Sequence, residues 1–253
     1  MKTLFLKVVS FSPFLYKLLI FRKLIFSFLY NKNKISDYKE IKFIKSKVDY
    51  NSVFFDVGAN NGIYSYALSQ VIDPNNLYMF EPQSDLYETL LKFFKKSNVY
   101  NIALSNKNSL LEFKIPFINN KKYKTRGTLK VDFTEKDETG FKTLNVRSEK
   151  LDDFVSKHNI SKIDFIKIDV EGFEEEVIEG AQQTLIKLSP KLMIEIEQRH
   201  HKKKIHLIIK KICKFGYDCF YIDSSGEIIN YFKVSNKEFL AEKISNFFFL
   251  PYN

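Results

Sequence analysis

The run Asp56-Val57-Gly58-Ala59-Asn60-Asn61-Gly62 follows directly on the apolar stretch Val53-Phe54-Phe55. An apolar run that ends in an acid and two spaced glycines, then enters a helix-forming segment, commits this part of the chain to strand, tight turn and helix. Glycines at 58 and 62 let the backbone turn sharply and approach a nucleotide-like ligand with no β-carbon in the way. The following Ile63-Tyr64-Ser65-Tyr66-Ala67-Leu68 is apolar-rich and reads as a helix whose N-terminus faces the turn. The pattern is G-x-N-x-G. It departs from the dinucleotide fingerprint G-x-G-x-x-G, because Ile63 stands where the third glycine would fall.

A second apolar run, Leu77-Tyr78-Met79-Phe80, ends in Glu81-Pro82, with Glu81 19 residues beyond Gly62. In nucleotide-binding α/β folds a carboxylate at the second strand tip accepts hydrogen bonds from ribose hydroxyls. A solvated strand terminus is the plainer reading of Glu81, but motif and spacing together favour the ribose role.

From residue 53 onward strand-like and helix-like segments alternate. Ser84 is placed to cap a helix carrying Leu86, Leu90, Phe93 and Phe94 at helical spacing. Asn98–Asn101 reads as a third strand, Leu110–Ile115 as a strand before a Lys/Asn-rich loop over Asn119–Lys124, and Leu151–Val155 as the start of a helix. Asp164–Asp169 and Leu192–Glu197 read as core strands, and Ile205, Ile208, Ile209 and Ile212 mark one face of a helix. Tyr217–Ile222 and Ile228–Phe232, split by Asp223-Ser224-Ser225-Gly226, read as a hairpin. This order predicts an α/β fold: a Rossmann-like, mainly parallel sheet with helices on both faces and antiparallel strands at its C-terminal end. Ligands of such sheets sit beyond the C-terminal strand ends. That rule gathers Asp56, Glu81, Asn101, Asp169, Glu171 and the stretch from Glu195 to His200 around one site.

Of the formal net charge of +10, seven charges fall in residues 1–36, which contain no acid, so the remaining chain carries only +3. Nucleic acid is therefore a poor partner for the folded domain. The organisation expected is a basic, aromatic-rich N-terminal helical segment over residues 1–49 and a catalytic domain over 50–253. The longest uncharged stretch of that segment, Val8–Tyr16, is far below the ~18 residues of a spanning helix. Two readings of it stay open: helices packed on the domain, or a cationic segment in peripheral contact with an anionic membrane on its cytoplasmic face. Cys213 and Cys219 fit no metal or disulfide spacing and read as reduced thiols of a cytoplasmic protein.

Taken in order, Phe55–Gly62, Phe80-Glu81-Pro82, Asn101–Ser105, Leu151-Asp152-Asp153, Ile166–Gly172, Ile194-Glu195 and the closing Asn246–Pro251 make the chain resemble the FkbM-type methyltransferases, which are S-adenosylmethionine-dependent and of the class I fold. The family often has Ile or Val at the place of Asn61. The resemblance covers about residue 50 to the C-terminus and implies S-adenosyl-L-methionine as cofactor. On it, Asp56, Gly58, Asn60 and Gly62 line the methionine and ribose part, Glu81 holds the ribose hydroxyls, and Asn101 with Ala103 borders the adenine. The residues agree, since a sulfonium and an ammonium group call for acids at strand tips more than for a phosphate cradle. The acceptor implied is a hydroxyl of a saccharide, glycolipid or related small molecule.

An alcohol is a poor nucleophile at neutral pH, so methyl transfer to it calls for alignment and a base. Asp169 is expected to orient the cofactor near its methyl group and Glu171 to contact the acceptor. A plainer reading of Glu171 is an acid at a helix N-terminus. His200, beside His201, has a suitable pKa for a base, although Lys202-Lys203-Lys204 also suits a solvated helix start. Asp169, Glu171 and Glu197 carry hard oxygen ligands, but no spacing calls for a metal and none is assigned. The stretch Asn119–Thr139, with Arg126-Gly127-Thr128, is either an acceptor lid or a surface insertion. The competing functions are a cofactor-binding module without catalysis, disfavoured by intact acids at every strand tip, and a nucleotide-dependent oxidoreductase, disfavoured by the missing third glycine.

Overall fold

The computed structural model describes residues 36–235 and 244–252. The helices or membrane contact expected within residues 1–36 lie almost wholly outside these. Among the described residues no helix is long and apolar enough to cross a membrane.

Five short parallel strands form the centre: β1 (Phe54–Val57), β2 (Leu77–Phe80), β3 (Asn98–Tyr100), β8 (Phe165–Ile168) and β9 (Lys191–Glu195). They run in the order β9-β8-β1-β2-β3 within an eight-stranded sheet. At the β9 side, β12 (Asn246–Pro251), β10 (Tyr217–Ile222) and β11 (Ile228–Asn230) complete it in antiparallel pairings. The mainly parallel sheet with an antiparallel C-terminal end is thus as the alternation predicts.

Period-two alternation divides the apolar residues of these strands between two faces. Phe55, Val57, Ile166, Ile168, Leu192 and Ile194 pack on one side. There they meet α4 (Leu151–Lys157), α5 (Glu174–Glu179), α6 (Gln182–Leu188) and α7 (Ile205–Cys213). Phe54, Phe165, Met193 and Phe248 pack on the other side against α1 (Ser36–Lys45) and α2 (Ile63–Leu68). α3 (Ser84–Phe93) closes the flank, with Leu90, Phe93 and Phe94 against Met79. Asp152 is an internal fastener: its carboxylate accepts hydrogen bonds from Gln183 N and Thr184 N and holds the start of α6.

Four local expectations are corrected. Ser84 does not cap its helix; Gln83 holds the N-cap position without a side-chain bond, and the Ser84 hydroxyl lies 3.3 Å from Asn101 Oδ1. The strand expected over Leu110–Ile115 is longer, β5 (Ser109–Ile118), and lies in a separate sheet with β4 (Ala103–Leu104), β6 (Lys121–Lys122) and β7 (Glu138–Glu149). β7 gives little sequence signal because most of its residues alternate between solvent and half-burial, with Phe141 55% exposed. His200, at the end of a short 3-10 turn, and His201, just after it, are both buried, and α7 starts only at Ile205, so they are no solvated helix start. The second arm of the hairpin is also shorter than expected, since Tyr231–Lys233 form a 3-10 turn. Cys213 and Cys219 are both free thiols.

Candidate active site

A cleft opens at the C-terminal ends of β1, β2 and β8. Beneath its floor lies a cross-strand pair. Asp56 and Lys167 lie opposite one another in the β1–β8 register, on the same sheet face, and both are buried. Lys167 Nζ lies 3.2 Å from Asp56 Oδ1 and 3.4 Å from Asp169 Oδ2, and donates to the Gly58 carbonyl at 2.9 Å. Burial alone would favour loss of the Lys167 proton; Asp56 and Asp169 outweigh it and raise the ammonium above its usual range. Asp56 also accepts from Ser65 Oγ at 2.7 Å, which ties β1 to α2.

Above this pair the backbone turns through Gly58 at φ 74° and Asn60 at φ 49°. A β-carbon on Gly58 would stand 1.9 Å from the Asp169 carbonyl oxygen, so the two loops touch only because residue 58 lacks one. Glu81 joins this turn to the next. Its carboxylate accepts from Asn60 N at 2.9 Å and from Gln83 N at 2.8 Å. Burial pushes its pKa up to about 7 against the pull of those two N–H groups and of Lys167.

Asp169 and Glu171 face Glu81 from the β8 side of the cleft. Burial raises Asp169 in spite of Lys167, and burial with the neighbouring Asp169 pushes Glu171 up to about 8. Glu195, at the tip of the adjacent β9, is pushed up to about 9 by burial and by Asp169 and Glu171. Glu171 at φ 53° and Gly172 at φ 100° form a turn held from both sides. Gly172 N donates to Glu174 Oε1 at 2.9 Å, and Thr128 Oγ1 donates to the Glu171 carbonyl at 2.7 Å.

Thr128 belongs to the roof. The segment that reads as lid or insertion crosses the cleft and pairs its Thr128 backbone with Lys114 of β5, so that Thr125, Gly127 and Leu129 line the cavity with Phe113. Beside the roof, Glu135 bonds Arg126 Nη1 at 3.0 Å through Oε2 and Arg199 Nη1 at 2.5 Å through Oε1. Arg199 also reaches Glu171 Oε2 at 3.2 Å and pairs with Glu197. His200 packs edge-on against Phe133, and burial with the surrounding cations depresses its pKa to about 3.

Among the residues singled out in the sequence, Gly58, Asn60, Glu81, Ala103, Asp169 and Glu171 line the cleft. The others support it. Asp56 lies beneath the floor. A β-carbon on Gly62 would meet Phe94 and Leu90, so this glycine serves helix packing. Asn101 donates to the Glu81 and Pro82 carbonyls and fixes the β2 tip. His200 sits behind Glu171, its Nε2 3.5 Å from Glu171 Oε2. Lys167 and Glu135 escape a sequence reading, and Arg199 enters it only within the stretch from Glu195 to His200; a lysine inside the apolar run Phe165-Ile166-Lys167-Ile168 is a signal that could have been used.

The described lining combines an apolar wall with three carboxylates, Glu81, Asp169 and Glu171, and contains no lysine or arginine. That set of acceptors suits a ligand with an apolar flat part, hydroxyls and positive charge, and does not suit a polyphosphate.

Comparison with known proteins agrees. Residues 56–219 match the methyltransferase FkbM domain. Curated proteins gave no match. Among solved structures, a methyltransferase FkbM from Methylobacillus flagellatus superposes with a TM-score of 0.51 at 15% identity, over 88% of this chain and 47% of that protein, so the chain spans about half its length. A TehB-like SAM-dependent methyltransferase from Corynebacterium glutamicum gives a TM-score of 0.46 at 12% identity, over 95% of this chain and 100% of the other. A precorrin-6Y C5,15-methyltransferase from Geobacter metallireducens gives 0.42 at 10% identity, over 87% and 89%.

Proposed function

The chain belongs to the FkbM methyltransferase family, and on that premise we propose that it methylates a hydroxyl oxygen on a saccharide, glycolipid or related small molecule. The family implies S-adenosylmethionine as donor, and the observation that carries the reading is the three-carboxylate, cation-free lining of the cleft.

When bound, the cofactor supplies a methyl group on a sulfonium, which is already an excellent leaving group. The protein's task is alignment and proton removal. Glu81 accepts the ribose hydroxyls with the oxygen lone pairs that Asn60 N and Gln83 N leave unused. The turn at Gly58 and Asn60 supports the methionine part, and Ala103 with the apolar wall borders the adenine. Asp169, fixed by Lys167, provides negative charge toward the positive end of the ligand. Glu171 accepts the hydrogen bond of the acceptor hydroxyl and takes its proton, with His200 behind it. The roof from Thr125 to Leu129 excludes water and contacts the acceptor.

Isothermal titration of the protein with S-adenosylmethionine, S-adenosylhomocysteine and NAD tests the cofactor part. Binding of the first two and not of NAD is expected; binding of NAD alone would overturn it. Transfer of labelled methyl groups into a glycan or glycolipid fraction, as alkali-stable ethers, tests the acceptor class.

A further inference from the structure

We propose that Glu135, Glu171 and His200 form a binding site for one divalent first-row transition-metal ion, of the manganese, iron or zinc type, beside the cleft. The binding claim stands apart from the methyl-transfer reading, and only a role for the ion in activating an acceptor would rest on it.

The three residues come from three separate places: the loop before β7, the turn after β8 and the 3-10 turn after β9. One donor atom from each lies within 4.8 Å of the others. His200 Nε2 stands 3.5 Å from Glu171 Oε2 and 3.9 Å from Glu135 Oε1. These distances are too long for good hydrogen bonds. Bonds of about 2.0–2.2 Å place neighbouring ligand atoms about 3 to 3.6 Å apart; the Glu171 distance lies within that range, and Glu135 Oε1 needs to move inward by only a few tenths of an ångström to share the ion.

Acids gathered near a histidine do not by themselves make a site. The telling atom is His200 Nε2: its side chain is 3% exposed, and the nitrogen has no hydrogen-bond partner. A buried polar nitrogen without a partner carries a desolvation cost that a ligand would remove. The ring is fixed, with Phe133 edge-on at 4.8 Å and the Gly172 backbone so close that a β-carbon there would meet His200 Cβ at 2.8 Å. One imidazole nitrogen with two carboxylate oxygens favours a first-row transition ion over magnesium or calcium, which prefer all-oxygen shells.

Arg199 already brings positive charge to this place, since its guanidinium contacts the same Glu135 Oε1 and Glu171 Oε2. It leaves His200 Nε2 without a hydrogen bond, and it has Glu197 as a further partner to keep. Arg126 holds the other Glu135 oxygen. Arg199 and a divalent ion therefore compete for one pair of oxygens.

The full-length protein, stripped with chelator, is titrated calorimetrically with MnCl2, ZnCl2 and MgCl2. The expected result is one Mn2+ or Zn2+ per chain, with Mg2+ bound at least tenfold more weakly. His200→Ala and Glu135→Gln should each weaken binding at least tenfold, while Arg199→Met should tighten it severalfold. Binding of S-adenosylhomocysteine by the same preparations reports folding and tests the cofactor reading separately. Pulsed electron paramagnetic resonance of the Mn2+-loaded wild type should show coupling to one imidazole nitrogen, and this decides the matter if His200→Ala does not fold. Absence of stoichiometric Mn2+ or Zn2+ binding, an unchanged affinity in folded His200→Ala, or no nitrogen coupling would overturn the proposal.

Discussion

The two walls of the cleft are built differently. On the β1–β2 side, the turn Gly58–Asn60 is tied to Glu81, 21 positions on, by the Asn60 N–H donating to its carboxylate, whose other oxygen accepts from Gln83 N two residues away. On the β8–β9 side, Glu171 is positioned by side chains from distant segments, Arg199 and Thr128, and by a network that reaches Glu135 beside the roof. The first wall is a rigid fixture of the fold. The second depends on how a long excursion between β5 and β7 is folded back over the sheet. A cofactor shared by a whole family needs the first kind of wall, and an acceptor that differs between members needs the second.

Lys167 lies under both walls, so removing it should have the largest effect. Lys167→Met leaves the buried Asp56 and the half-buried Asp169 without their cation. A loss of about 3–5 kcal/mol in urea unfolding is expected for breaking such a buried pair. Lys167→Met combined with Asp56→Asn should recover part of it. A loss below about 1 kcal/mol would mean that the pair is not a common foundation.

Gly58→Ala attacks the first wall alone. Its β-carbon would collide with the Asp169 carbonyl, and φ 74° is strained for alanine. Spreading of the two loops should lower S-adenosylhomocysteine affinity by about 100-fold, about 2.7 kcal/mol, as measured by calorimetry. Retained affinity would show that the contact between the loops is dispensable.

Glu171→Gln attacks the second wall. Methyl transfer should fall about 100-fold, within the range for loss of a general base, while S-adenosylhomocysteine affinity stays within about twofold. A parallel loss of cofactor affinity would erase the division between the walls.

The difference between the walls also explains what the sequence reveals. Asp56, Gly58, Asn60 and Glu81 are legible because their roles are set locally, by strand ends and by a turn that only some residues can make. The parallel sheet is legible for the same reason: β1, β2 and β8 are short, largely apolar and buried strands, with an acid at or just beyond the end of each. Glu135 and Arg199 have no local signature. Their place comes from a salt-bridge network that brings positions 64 residues apart together, and β7, which returns the roof to the sheet, alternates too weakly to read as a strand. The solvated helix start, the plainer reading of His200, fails for a related reason: Lys202, Lys203 and Lys204 follow the His200-His201 pair, yet the chain between β9 and α7 folds inward and buries His200 against Phe133.

Glu81 gives the first wall a pH signature. Its folded pKa, about 7, is raised above its ordinary value near 4.5. The folded protein thus binds the Glu81 proton more tightly than the unfolded chain does. This contribution to stability is full below about pH 4.5 and is lost as pH rises through 7. Ribose hydroxyls prefer the ionised carboxylate, so cofactor affinity should change the opposite way and increase severalfold from pH 6 to 8. Thermal melts and calorimetry of wild type and Glu81→Gln across this range check both trends, which should flatten in the variant. Trends that persist in Glu81→Gln would assign them to other groups.

The smallest effect is expected at the outer edge of the second wall. Arg126 pairs with Glu135 Oε2 at 3.0 Å, but its side chain is 40% exposed, so solvent screens much of the attraction. Exposed pairs of this kind contribute about 0.2–1 kcal/mol. Glu135 keeps Arg199 on its other oxygen after Arg126 is removed, so its carboxylate is not left buried without a cation. Arg126→Ala should therefore lower stability by less than about 1 kcal/mol and leave cofactor binding unchanged. A change in acceptor KM alone would be consistent with a roof that contacts the acceptor. A loss comparable to that of Lys167→Met would show that the roof, and not the strand tips, organises this side of the cleft.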